Sequence, residues 1–247
     1  MQAVVGYHRP ESLEEALSLL NRVSPRSVVL AGGTSLNAAE LPEPVEMIDL
    51  QAIGLDGIRT DGLVVEIGAM VRLFELTAHQ AVPELVRLLA RREAPSTLRN
   101  VATIGGTIAT GDPDSELLAG CLVYEGQVTV ARAGGVVENV ALAGLLNDRS
   151  KLEGSIITAL RIDADGIGAA ERTGRTPSDS SIVAAIGRQA PTGGIRLALT
   201  GMASTPILVE PAEVAALNPP GDFRGSSEYR LHLARTLTRR VIQQLGG

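Results

Sequence analysis

The chain has 247 residues, 45% of them apolar and 20% charged, with a formal net charge of −6. That is enough for one large domain or two modest ones with a full core, and the composition is globular rather than disordered. The acidic balance excludes a basic nucleic-acid footprint, and the single cysteine, Cys121, excludes a disulfide framework, a Cys-ligated iron–sulfur cluster and a thiolate zinc site within the chain. Cys121, in Leu118–Val123, reads as a small buried apolar residue. With aromatics at only 2%, the core falls to Leu, Val, Ile and Ala. No apolar run approaches about 18 residues and no secretory leader is visible, so the expectation is a cytoplasmic protein.

Ser12-Leu13-Glu14-Glu15 forms a capping box, and Leu13, Ala16, Leu17 and Leu20 make one apolar face, which predicts a helix closed by residues 21–25. Val28-Val29-Leu30 predicts a strand, as does Met47–Leu50. Gly57–Gly68 predicts a hairpin turning at Asp61-Gly62 in a type I′ turn. Residues 72–79 and 83–92 have amphipathic periodicity; the second places Arg87, Arg91 and Arg92 on a solvated face. Further strands are predicted over 128–132, 155–162, 182–186, 195–200 and 207–209, with a polar, glycine-rich boundary at 163–168. The chain closes in a helix with Leu231, Ala234, Leu237, Val241 and Leu245 on one stripe.

Two stretches stand apart. Val28–Leu36 runs an apolar strand into Gly32-Gly33 and then Thr34-Ser35. Thr97–Leu117 centres on Gly105-Gly106, flanked by Thr103, Thr107 and Thr110, with Asp112-Pro113 marking a helix start. Glycines there would let backbone N–H groups approach a ligand, the threonine hydroxyls would add donors, and a helix start suits a phosphate. Read as two strand–Gly-Gly–Thr turns, the stretches could cradle a pyrophosphate from opposite sides. Neither matches the Rossmann or P-loop pattern.

Ala31–Leu36 together with Leu98–Ala109 resembles the FAD-binding medium subunit of the molybdenum hydroxylases, and the likeness runs from about Tyr7 to the C-terminus. It implies an α+β fold: a PCMH-type FAD-binding domain over 1–163, divided at about 53/54 into two α/β subdomains, and a C-terminal domain over 164–247 built from a small antiparallel sheet with helices. It implies FAD as cofactor, held by Leu30, Ala31, Gly32, Gly33, Thr34, Ser35 and Leu36, and by Thr103, Ile104, Gly105, Gly106 and Thr107. Glu116 occupies the place of a family Asp on the ribityl or ring side of the flavin. Arg172 stands where the family has a Lys near the ring, on a loop in which Arg175 and Asp179 would form a structural ion pair. The bland readings are a helix-start carboxylate and a surface arginine.

The implied partners are an iron–sulfur small subunit and a molybdopterin large subunit, in a heterotrimer that is often doubled. The implied activity is electron transfer from [2Fe–2S] clusters through FAD to an external acceptor, with substrate chemistry on another chain and no catalytic residue here. Thr107, Ala170 and the short 209–223 segment depart from the family pattern and leave open a flavin-free structural subunit. His8, His79 and His232 match no metal motif, and no Gly-x-Ser-x-Gly elbow is present.

Overall fold

The computed structural model describes residues 4–38, 43–174, 176, 179–191 and 193–246. Five elements come first: β1 (Val4–His8), α1 (Leu13–Leu20), β2 (Ser27–Leu30), α2 (Thr34–Ala38) and β3 (Val45–Asp49). The strands form a parallel sheet in the order β1-β3-β2. Ser12 Oγ accepts the N–H of Glu15 at 3.2 Å, so α1 starts where the capping box places it. Its Ala16, Leu17 and Leu19 pack with Ile48, and also with Ala131 and Ile156 of the next sheet. Strand β1 carries no hydrophobic alternation. It is held by pairing with β3, by the Tyr7 hydroxyl on Asp49 and by a 2.9 Å contact between His8 and Glu46.

The second group contains β4 (Ile58–Asp61), β5 (Val64–Gly68), α3 (Leu73–Ala78), α4 (Glu84–Glu93), α5 (Ser96–Arg99), α6 (Ile104–Thr110), α7 (Glu116–Val123), β6 (Gln127–Arg132), β7 (Val136–Ala141), α8 (Leu142–Asn147) and β8 (Ser155–Asp163). Its sheet is antiparallel, in the order β4-β5-β8-β6-β7. The hairpin turn lies one residue later than expected. Asp61 pairs with Val64, the turn residues are Gly62 and Leu63, and Gly62 has φ +58°. Glycine at the first turn position, with no positive φ at Leu63, is the type II′ arrangement rather than type I′.

The third group is β9 (Ile167–Thr173), β10 (Val183–Gln189), β11 (Ile195–Thr200), β12 (Ile207–Leu208) and α9 (Ser227–Gln244), with an antiparallel sheet ordered β12-β11-β10-β9. Ala234, Leu237, Val241 and Leu245 of the expected stripe bury against this sheet, whereas Leu231 is only partly buried and Leu233, outside that stripe, is buried with them. A Cβ at Gly187 on β10 would lie 2.5 Å from Val241 Cγ1, so the strand and α9 are in direct contact.

Helix α7 lies at the centre of the molecule. Every residue from Glu116 to Val123 is buried, between α4 and α8 on one side and β10, β11 and β12 on the other. Its N-cap is Ser115, whose Oγ accepts Leu118 N–H at 3.0 Å, not Asp112. Asp112 instead closes a turn on the N–H of Asp114 at 2.8 Å. A fully buried Arg188 ties the third sheet to the second. It donates from Nε to Asp165 O at 2.7 Å, pairs with Asp163, lies 3.6 Å from Glu125 and stacks 5.0 Å from the Tyr124 ring.

Candidate cofactor site

The parallel sheet has its carboxyl ends on one side, and the loops leaving them converge. Arg9 follows β1, Ala31-Gly32 follow β2, and Gln51 lies just past β3. All of these line one cleft of about 350 Å³, closed from the second group by Arg72, Val101 and Thr103. Carboxyl ends of parallel strands are the usual ligand site in open α/β sheets, because the loops there are free to vary and helix N-termini face outward.

The two glycine stretches meet at this cleft. A Cβ at Gly32 would fall 1.9 Å from the carbonyl oxygen of Val101, so only glycine lets the loops touch backbone to backbone. Ser35 Oγ lies 2.9 Å from Thr110 Oγ1, a second tie between the stretches. Gly33 takes φ +72°, and the N–H groups of Gly33, Thr34 and Ser35 donate to no acceptor among the described residues. They follow Gly32 along the chain, and none of the three residues lines the cleft.

The second stretch is built differently from expectation. Gly105 and Gly106 lie in the first turn of α6, not in a turn after a strand. Ile104 N–H donates to Val71 O at 3.0 Å, Gly105 to Ala69 O at 2.9 Å, Gly106 to Thr103 Oγ1 at 3.1 Å and Thr107 to Thr103 O at 2.9 Å. These backbone donors are therefore satisfied within the protein. Gly105 is needed for packing, since its Cβ would stand 2.8 Å from Ala69. The hydroxyls of Thr107 and Thr110 are committed to Thr103 O and Gly106 O, at 3.1 and 3.0 Å. Thr103 Oγ1 accepts as the N-cap of α6, which leaves its proton available in the cleft that Thr103 lines. Leu30 and Leu36 are half-buried and Ile104 is core; of the residues expected in the two stretches, only Ala31, Gly32 and Thr103 line the cleft.

Glu116 and Arg172 form a separate pair away from the cleft lining. Glu116 Oε1 lies 3.0 Å from Arg172 Nε, and Oε2 lies 3.6 Å from Arg92 Nη1. Arg172 sits on strand β9 rather than on a loop, and its guanidinium also donates to Asp179 O. Arg92, read from the sequence as part of a solvated face, is thus a partner of a buried carboxylate. Glu116 Oε2 is buried and accepts no hydrogen bond. Behind the pair, Glu93 accepts from Ser115 Oγ at 2.6 Å and from Leu117 N–H at 3.2 Å. Burial pushes the Glu93 carboxyl up to about 7 against the pull of those bonds. Arg175, the expected partner of Asp179, lies outside the described residues; Asp179 Oδ2 accepts Thr176 N–H at 3.1 Å.

Sequence reasoning passed over Arg9, Arg72 and Glu93. The first two flank strand ends, where a lone arginine carries no spacing signal, and Glu93 looks like any helix-surface carboxylate until α7 packs on it.

The family described as the FAD binding domain in molybdopterin dehydrogenase matches residues 3–163. The chain is 30% identical to the carbon monoxide dehydrogenase medium chain of Afipia carboxidovorans, across 96% of this chain and 95% of that one. It is 25% identical to the xanthine dehydrogenase FAD-binding subunit of Escherichia coli O157:H7, across 97% and 95%. A solved structure of carbon monoxide dehydrogenase from Hydrogenophaga pseudoflava superposes with a TM-score of 0.88 at 27% identity, covering 100% of this chain and 98% of that one. With the glycine stretches meeting at the carboxyl ends of a parallel sheet, these likenesses agree: the chain belongs to the FAD-binding family of the molybdopterin dehydrogenases, an oxidoreductase subunit whose cofactor is FAD.

Proposed function

We propose that the chain is the electron-transferring flavin subunit of a molybdenum-containing hydroxylase or dehydrogenase, working in the cytoplasm with an iron–sulfur subunit and a molybdopterin subunit. Residues 1–163 form its FAD-binding domain and 164–247 its C-terminal domain. One observation carries the reading: Gly32 packs against the Val101 carbonyl, bringing both glycine stretches to one cleft at the ends of the parallel strands.

The residues present fit the cofactor. Free N–H groups at Gly33, Thr34 and Ser35 suit phosphate oxygens, and Thr103 has a hydroxyl proton to give. The buried, unbonded Glu116 Oε2 suits a ribityl hydroxyl or ring N–H. FAD supplies one- and two-electron chemistry when bound; the protein supplies orientation and field. Glu116 holds Arg172 in place, and Arg172 sets a positive charge on the ring side. Ile104, Gly105, Gly106 and Thr107 serve by fixing Thr103 and the floor of the cleft. No side chain is required as acid, base or nucleophile. Among the described residues no cluster of metal ligands occurs, and no helix is long and apolar enough to cross a membrane.

Tagged protein expressed with its neighbouring genes should bring down two further chains, one carrying iron and one carrying molybdenum. A chain that emerges alone from that lysate and oxidises a small molecule unaided would replace this reading with a self-standing flavoenzyme.

A further inference from the structure

We propose that Glu93 is a positioning residue for the flavin: by gripping both chain neighbours of Glu116 it fixes the Glu116 carboxylate, and with it Arg172, for the ligand. This rests on the FAD reading above and adds to it a residue that acts only through another.

Geometry is the first argument. Glu93 ends α4, and its two oxygens reach across to the start of α7. Oε1 accepts from Ser115 Oγ at 2.6 Å and Oε2 from the N–H of Leu117 at 3.2 Å. Glu116 is the residue between those two. Ser115 Oγ in turn accepts the N–H of Leu118 at 3.0 Å, so the grip extends into the first turn of the helix. Glu116 is itself buried, with Oε1 3.0 Å from Arg172 Nε and Oε2 accepting no hydrogen bond. A buried acceptor whose backbone is pinned on both sides is preorganised for a ligand donor.

Charge is the second argument. The charges that act on the Glu93 carboxyl are of its own sign, Asp112 and Glu116. The cations nearby are engaged elsewhere. Arg92 of α4 and Arg172 of β9 lie on Glu116, and Arg99 of α5 donates to the carbonyls of Arg91 and Ala94. Of the remaining acids on elements packed against α4, Glu75 of α3 accepts the Arg72 N–H and Glu171 of β9 pairs with Arg240. Cys121 of α7 is a neutral thiol. With burial unopposed by a cation, the carboxyl changes charge at about pH 7. Ionised, Glu93 makes two charge-assisted bonds to the start of α7; neutral, it holds the same groups more weakly.

The test is FAD titration of the unloaded chain from about pH 5.5 to about pH 8.5, with melting followed in parallel, for the parent, Glu93→Gln, Glu116→Gln and the double variant. Glutamine stands in for the neutral carboxyl, with an oxygen for the Leu117 N–H and an amide N–H for Ser115 Oγ. The parent should bind FAD about fivefold more tightly at the upper end, the difference between charged and neutral hydrogen bonding. Glu93→Gln should keep the parent's low-pH affinity throughout. Glu116→Gln should bind more weakly and show no step, and adding Glu93→Gln to it should change nothing further, because the two residues act as a unit. The positioning role is overturned, with the FAD reading intact, if the parent binds FAD equally across the range or if Glu93→Gln retains the step. It is equally overturned if the losses in the two single variants multiply in the double one, or if Glu93→Gln shifts Tm and leaves FAD affinity at the parent's value. A folded parent that binds no FAD overturns both.

Discussion

Replacing Gly32 by alanine is the sharpest perturbation of the site. The added Cβ would sit 1.9 Å from Val101 O, 2.7 Å from Val101 C and 3.0 Å from Ala102 Cα. Ordinary carbon contacts begin near ~3.5 Å, so the two loops must part by about 1.5 Å. All three obstacles are backbone atoms and cannot swing aside. Overpacking of this kind costs about 1–3 kcal/mol, which for a chain of this size lowers Tm by roughly 2–12 °C. The free donors at Gly33–Ser35 move with the loop, and losing one charge-assisted hydrogen bond, worth about 1.5–3 kcal/mol, should weaken FAD roughly ten- to 150-fold. Gly106→Ala is the control. Its Cβ meets only Thr103 Oγ1, at 3.1 Å, and alanine is favoured over glycine within a helix by about 0.5–1 kcal/mol. Differential scanning fluorimetry and FAD fluorescence titration read both effects. A Gly32→Ala protein with parental Tm and FAD affinity would refute the reasoning. So would a Gly106→Ala protein that loses FAD as fully as Gly32→Ala, because the second stretch would then hold the ligand directly.

Other outcomes follow from the buried charges. The Glu93 carboxyl is raised from 4.5 to about 7, so its contribution to stability is full below about pH 4.5 and is lost as pH rises through 7, by up to about 3 kcal/mol. Glu93→Gln removes the titrating group while keeping one oxygen to accept the Leu117 N–H and turning an N–H₂ toward Ser115 Oγ, and should flatten that part of the urea-stability profile; a profile identical to the parent's would mean that the carboxyl titrates normally. Arg188→Met should lower stability by about 3 kcal/mol, near the bottom of the range for a broken buried pair, because Asp163 and Glu125 retain 39% and 48% side-chain exposure and can hydrate. Glu116→Ala leaves Arg92 and Arg172 without their shared carboxylate and should cost both stability and FAD affinity; equal FAD affinity in parent and variant would return Glu116 to a purely structural role. Burial pushes the Cys121 thiol up to about 12, so it should resist thiol reagents until the chain unfolds, as a stopped-flow labelling assay would show.

Much of this architecture was legible in the sequence because local signals carried it. The capping box at Ser12, the apolar strand runs at β6 and β8 and the stripe on α9 are each set by residues within a few positions of one another. What escaped notice depends on partners distant in the chain. Strand β1 has no pattern of its own and exists because β3 offers it a parallel edge. The start of α7 was misplaced because Asp112 and Ser115 are both competent caps, and only the packing of Glu93 against Ser115 selects the second. Gly105 and Gly106 looked like a ligand turn, yet their N–H groups are claimed by Ala69 and Thr103. In the first glycine stretch the N–H groups of Gly33, Thr34 and Ser35 find no acceptor among the described residues. The arginines of the cleft carried no sequence signal, since what marks them is the cavity they share.

The central claim is that the two stretches build a flavin site in this chain. Purified protein, desalted and incubated with FAD, should take up one equivalent per chain and show absorption near about 370 and 450 nm, as bound flavins do. Protein that is folded by circular dichroism, remains colourless and retains no FAD through gel filtration would contradict it, and would leave the fold serving as a scaffold between the redox partners.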